Sequence, residues 1–281
     1  MGRAAGAVAV AALERPRLEL SGPKLGLALE RLIAGTEAHG GVERYVEAVE
    51  LKSAVFRQAL EHGAPELAAL KPLCALIATA RRRVGPYLTD ERFPALRAAI
   101  ARLLEGREDT TTTDARVAAF CRAFPGDRAH RWVHDLAGEL LHNADPERYP
   151  LMCRWVWDAE TGTGVLREIW HAADPDQAVI DAPARYGTYL VLREELSQYL
   201  AANGVFRDVL HYVDLLTAQV YAGYIGEQGG AYLRADFSSP EDPVGHTRRL
   251  LGLDGIGGGG RTRLKAPDGE AFLVADAKLL D

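Results

Sequence analysis

Residues 114–157 read DARVAAFCRAFPGDRAHRWVHDLAGELLHNADPERYPLMCRWVW, and this stretch decides the fold class. Val117, Phe120, Cys121 and Phe124 share one face at helical spacing, and Pro125-Gly126 stops that helix. A second helix is expected from about Asp127 to His142, with Asp145-Pro146 after its end. The rhythm then changes. Cys153 to Trp157 and Val165 to Trp170 are rich in β-branched and aromatic residues and flank the turn-forming Asp158-Ala-Glu-Thr-Gly-Thr-Gly164. That pattern predicts a β-hairpin near 153–170.

Upstream, helical stripes continue. Val42, Tyr45, Val46, Val49, Phe56 and Leu60 make one, between Gly40-Gly41 and Gly63-Ala-Pro65. Leu67, Leu70, Leu73, Cys74 and Ile77 make the next, and Phe93, Leu96, Ile100, Leu103 and Leu104 another after an N-cap at Thr89 or Asp90. Downstream, Leu192, Leu196, Tyr199 and Leu200 precede Asn203-Gly204, and Phe206 to Tyr224 carry a last long stripe before Gly229-Gly230. The chain therefore reads as mainly α. A flexible arm over 1–20 leads into a multi-helix globular domain over 21–255, interrupted by the β-hairpin. Residues 256–281 read as a Gly257–Gly260 linker and a short β-rich tail, whose hairpin turns at Pro267-Asp-Gly269. No fixed-period repeat appears, which disfavours a solenoid.

A net charge of −6 counts against a dedicated non-specific nucleic-acid binder, whose affinity rests on basic excess. Three cysteines, Cys74, Cys121 and Cys153, at wide spacings with no C-x-x-C, suit reduced core thiols in the cytoplasm. No apolar run nears the roughly 18 residues of a membrane span. The first residues have a signal-peptide outline, but the Ala/Gly/Val stretch is short, so a cytosolic arm is the reading.

Chemistry concentrates in the quoted stretch. His130 and His134 lie one helical turn apart, a chelating spacing, and Glu139-Leu-Leu-His142 matches a carboxylate-histidine metal pattern. Hydrogen-bonded or solvated helix histidines account for the same residues, and Arg131 stands where a zinc protease needs its glutamate. Asp158 to Gly164 resembles a phosphate loop, but no Gly-Lys-Ser/Thr follows, so a turn is the simpler reading. Arg81-Arg82-Arg83 complements a helix C-terminus, or joins Arg128, Arg131 and Arg148 in a phosphate-facing patch. Trp155, Trp157 and Trp170 are core anchors of the hairpin or, if exposed, anchors for a partner.

Phe124-Pro-Gly126 between two helices, followed by Leu140-Leu-His142 and Asp145-Pro-Glu-Arg-Tyr-Pro-Leu151, resembles base-excision DNA glycosylases with a helix-hairpin-helix element. The resemblance spans about 40 residues. It implies a related helical fold and a hairpin whose backbone N–H groups, with Pro125, Gly126, Arg128, Arg131 and Arg148, would meet a DNA phosphate. Arg128 replaces the usual second glycine. Glu139 falls where some members carry a catalytic lysine, and Cys153 where the aspartate would sit. The resemblance thus implies that base-excision chemistry is lost.

The expectation is a cytoplasmic, non-catalytic binding, adaptor or regulatory protein with a protein partner and no cofactor. Two alternatives stay open: DNA binding through the hairpin, and a metal-dependent enzyme using His130, His134, Glu139 and His142.

Overall fold

The helical rhythm is realised in a computed structural model of the chain, which describes residues 15–172, 179–228 and 244–255. Ten α-helices form among the described residues: α1 (Gly22–Glu37), α2 (Val42–Leu60), α3 (Leu67–Ala75), α4 (Phe93–Leu104), α5 (Thr113–Arg122), α6 (Trp132–Ala144), α7 (Val165–Glu168), α8 (Tyr186–Ala202), α9 (Val209–Gln228) and α10 (Gly245–Leu250). No described helix is long and apolar enough to cross a membrane.

Two helices organise the packing. α6 is surrounded by α2, α4 and α5, while α9 is surrounded by α1, α7, α8 and α10, and α2 touches both. The apolar stripes of the sequence supply the contact faces: Tyr45, Phe56 and Leu60 of α2, Leu96 and Ile100 of α4, and Leu136, Leu140 and Leu141 of α6 are all inaccessible to solvent. Eleven of the thirteen residues of α6 are buried, so this helix has no solvated face of its own. Gly138 lets it sit that deep. A Cβ there would lie 2.4 Å from the Met152 carbonyl oxygen, so the following segment can press against the helix backbone only at a glycine.

Segment 153–170 departs from the expected hairpin. The turn exists, with Asp158 and Thr163 exchanging backbone hydrogen bonds of 2.9 and 3.2 Å. The strands do not. Trp157 N–H bonds back to the Cys153 carbonyl, and Glu168 and Ile169 N–H bond to Gly164 and Val165 carbonyls in helical fashion, giving α7. The physical reason is burial on every side. Trp155, Val156, Trp157, Val165, Leu166 and Ile169 are all core residues, so the β-branched and aromatic composition reflects packing and not an alternating sheet face.

Residues 1–14 of the N-terminal arm and the expected tail over 256–281 lie outside the described residues. Residues 15–20 run against the domain: Leu18 is buried, Leu20 bridges Trp170, and Arg15 pairs with Glu194.

The connection from α5 to α6 is tight and aromatic-backed. Phe124 packs its ring 5.3 Å from Tyr87 and 6.1 Å from Trp132, which fixes the chain entering Pro125-Gly126. Asp127 then accepts from the His130 amide and starts a 3-10 turn over Arg128–His130 before α6. The single helix expected from Asp127 is thus split at Arg131.

Candidate functional site

Asp135, Glu139, His142 and Asn143 recur at i, i+4, i+7 and i+8 along α6, which aligns them on one face. All four are buried. A helix enclosed on all sides that still carries this polar spine must satisfy every member from its neighbours, since an unpaired buried charge is strongly unfavourable.

The neighbours are supplied by α2, α9 and the residues after α10. Lys52 of α2 donates to Glu139 Oε2 at 2.8 Å and to the Leu251 carbonyl at 2.8 Å. Asn143 Nδ2 donates to the same Glu139 oxygen at 2.9 Å, and Ser53 Oγ donates to Asn143 Oδ1 at 3.1 Å. His142 Nε2 faces Asp214 Oδ2 at 2.9 Å, and its Nδ1 faces the Tyr149 carbonyl at 2.8 Å. Both partners are acceptors, so the ring holds both protons and a positive charge. Burial is the largest influence and opposes that charge, but the charge and hydrogen bond of Asp214, the Tyr149 carbonyl and the Glu139 charge together outweigh it and hold the His142 pKa above the usual value.

Asp135 accepts the Arg154 amide at 2.8 Å, and burial pushes its carboxyl up to about 6. The Cys153 thiol is pushed well up, first by burial and then by the Glu139 and Asp135 charges, which keeps it protonated and non-nucleophilic. A cavity of about 20 Å³ beside Asp214, lined by Leu151, Tyr189 and Val213, is on the scale of one water and admits no organic substrate.

A second cluster joins the start of α6 to the 158–163 turn. Asp158 Oδ2 accepts from Arg131 at 3.0 Å and from the Nε and Nη2 of Arg154 at 3.1 and 2.8 Å. Its Oδ1 also accepts the Thr161 amide, so the carboxylate serves as turn cap and double counter-ion.

The expected metal residues are not brought together. His130 is partly exposed, between Asp127 at 2.7 Å and the Tyr87 hydroxyl at 2.8 Å. His134 faces the Arg154 region, where burial and then that guanidinium lower its pKa to about 4. Glu139 and His142 are engaged in separate pairs. Among the described residues, no three His, Cys, Asp or Glu side chains are grouped to hold a metal ion.

Of the expected DNA-facing residues, Pro125, Gly126 and Arg128 are exposed together at the α5–α6 connection. Arg131 is tied to Asp158, and Arg148 pairs with Asp145. Trp155 and Trp157 are 6% and 1% exposed, and Trp157 Nε1 donates to the Ala182 carbonyl at 2.8 Å, while Trp170 is half-buried against the core.

Lys52, Ser53 and Asp214 were missed in the sequence, and Asp158 stood out there only as the start of a turn. Lys52 and Ser53 occupy the slots three and four residues after Val49, where the α2 stripe would carry an apolar residue. A polar residue in such a slot is the available signal.

A further surface stands apart from the spine. Phe206 is 76% exposed at the α8–α9 turn, beside a groove of about 560 Å³ that includes Glu43, Glu47, Glu50, Asp208 and Tyr212. Asp208 has φ +50°, the one non-glycine residue in left-handed conformation among the described residues. Strain of this kind persists where surrounding structure enforces it and collects at functional sites.

Comparison with protein families, curated proteins and solved structures finds no match.

Proposed function

We propose that the chain is a non-catalytic cytoplasmic adaptor or regulatory protein that binds a protein partner through the Phe206 groove. The observation that carries this reading is Phe206 itself: a large aromatic side chain held in solvent on a strained turn beside an acidic, partly apolar groove. Exposed aromatics of this kind act as binding anchors because they bury large area at small entropic cost. The carboxylates select a partner segment carrying basic residues next to an apolar one. The closed state of the α6 spine supports the absence of catalysis in this reading, since Glu139 and His142 are already paired with Lys52 and Asp214. Unpaired Cys74, Cys121 and Cys153 suit a reducing compartment.

The test is capture of partners by the immobilised protein, with a Phe206→Ala variant beside the parent. A specific partner should be held by the parent and lose roughly tenfold or more in affinity to the variant. Equal capture by both would overturn the groove as the contact surface. A substrate turned over by the parent and lost on changing His142 would overturn the non-catalytic reading.

A second reading is DNA binding through the α5–α6 connection, favoured by the shared exposure of Pro125, Gly126 and Arg128 on an aromatic-backed turn. Against it, the Asp127 carboxylate already accepts the His130 amide that a phosphate would use, and it adds negative charge at the apex. Fluorescence anisotropy with labelled single- and double-stranded DNA across a salt series separates the readings. The adaptor reading expects no binding even at low salt. Binding that weakens with salt and disappears in a folded Gly126→Pro variant would make the hairpin reading primary.

A further inference from the structure

The 3-10 turn Leu253–Gly255, the last described element, touches α2, the helix that supplies Glu43, Glu47 and Glu50 to the Phe206 groove. Leu251, just before that turn, accepts from Lys52, which follows Glu50 by two residues on α2. Along the helix axis Glu50, Glu47 and Glu43 therefore stand about 3, 8 and 14 Å from the level of Lys52. The groove is lopsided in charge. Four carboxylates, Glu43, Glu47, Glu50 and Asp208, line it, against Arg207 as the one cation among its described lining residues. Burial, and then the Glu43 and Asp208 charges, push the Tyr212 hydroxyl up to about 12, so it stays a donor to Glu43.

The sequence continues from Gly255 with Ile256-Gly-Gly-Gly-Gly260 and then Arg261-Thr-Arg-Leu-Lys265. The first three charged residues after Gly255 are all cations, and two of them flank Leu264. Basic residues next to an apolar one are the composition that the groove selects. Ten residues from Gly255 to Lys265 span at most about 33–36 Å. That is enough to pass around α2, about 10–12 Å thick, and along it to Glu43. The spacing also agrees. In an extended run, residues 261, 263 and 265 share one side at steps of about 6.6 Å. Glu43, Glu47 and Glu50 follow one another along α2 at about 6 and 4.5 Å.

We infer that the chain's own segment 261–265 is an occupant of the Phe206 groove, with its cations on Glu43, Glu47 and Glu50 and Leu264 against Phe206. The inference rests on the groove being a binding surface and adds its regulation, because a partner must then displace this segment. Tethering makes even a weak contact effective. A short linker holds a segment at an effective concentration on the order of 1 mM. A segment with a Kd of about 0.1 mM when free is then about 90% docked, and it lowers the apparent affinity of a competing partner about tenfold.

The probe is a fluorescein-labelled synthetic peptide of residues 259–267, titrated by anisotropy onto the full chain and onto its Arg261→Ser/Arg263→Ser/Lys265→Ser variant. The peptide should bind the variant about tenfold more tightly, because the parent's groove is already filled. Adding Glu47→Gln/Glu50→Gln or Phe206→Ala to that variant should weaken the peptide roughly tenfold or more. All three of those side chains are exposed, so thermal unfolding should not change. In dilute parent protein, a carbodiimide should join Lys265 to Glu43, Glu47 or Glu50 within one chain, read by mass spectrometry of the peptides. The inference is overturned if the peptide binds neither protein, if it binds both equally, or if the groove substitutions leave its binding unchanged. A cross-link that is absent, or found only between two chains, overturns it as well, the latter making a second copy the occupant. Partner capture by the parent and the Phe206→Ala variant judges the groove as a partner surface separately, so the two readings can fail independently.

Discussion

Replacing Lys52 by methionine should destabilise the fold by about 3–5 kcal/mol, the usual result of removing one partner from a buried ion pair. Methionine matches the length of the stem but leaves Glu139 without its ammonium partner, in a site where the carboxylate is 2% exposed. Asn143 still donates to Glu139, yet a neutral amide does not balance the charge. The Leu251 carbonyl loses its donor at the same time, so the residues after α10 loosen as well. The companion variant Lys52→Met/Glu139→Leu should recover most of the loss, because it removes the charge that was stranded. Urea denaturation of the parent, the single and the double variant measures both effects. A single variant within about 1 kcal/mol of the parent would mean that water or a rearranged neighbour replaces Lys52, and that the spine is less closed than described.

Gly138→Ala is the second large effect, and there two rules oppose each other. In a helix interior, alanine is favoured over glycine by roughly 1 kcal/mol. Propensity alone therefore forecasts a more stable protein. The new methyl group would, however, stand 2.4 Å from the Met152 carbonyl oxygen, which is backbone and cannot swing aside. Either α6 or residues 149–154 must move, and neither moves freely: Asp135 holds the Arg154 amide, and His142 holds the Tyr149 carbonyl. Overpacking in such places typically costs about 1–3 kcal/mol, and disruption of the hydrogen bonds adds to that. The expected outcome is a net loss of about 2 kcal/mol or more, visible as a lowered denaturation midpoint. A midpoint raised by the substitution would mean that the segment after α6 is not seated on the helix backbone.

Much of the helical architecture was legible because its cause is local. Stripes such as Val42 to Leu60 and Phe93 to Leu104 encode both the period and the face that is buried, and Pro125-Gly126 marks a stop. The 153–170 segment was not legible for the same reason. Its composition is that of buried residues, and only the tertiary environment reveals that all sides are covered, whereas a strand pattern assumes one covered face. The spine was half legible. Glu139 and His142 stood out as chemistry-bearing residues, but their partners Lys52 and Asp214 lie 87 and 72 positions away in sequence. Spacing rules reach one or two helical turns. They pointed to metal ligands where long-range pairing supplies cations, anions and carbonyls instead.

The fastening of Lys52 and Arg81 to Leu251 and Asp254 also bears on how the protein comes to be made. These partners are separated by 199 and 173 residues, so each cation emerges from the ribosome long before its acceptor exists. At a synthesis rate of about 5–20 residues per second, the wait is on the order of ten to forty seconds. During that interval α2 and α6 have a carboxylate and an ammonium to bring together but lack the carbonyl that completes the shell. The nascent chain therefore lacks both fastenings until residues 251–254 have been made, so this part of the core closes as a late step and not by gradual growth outward from α2.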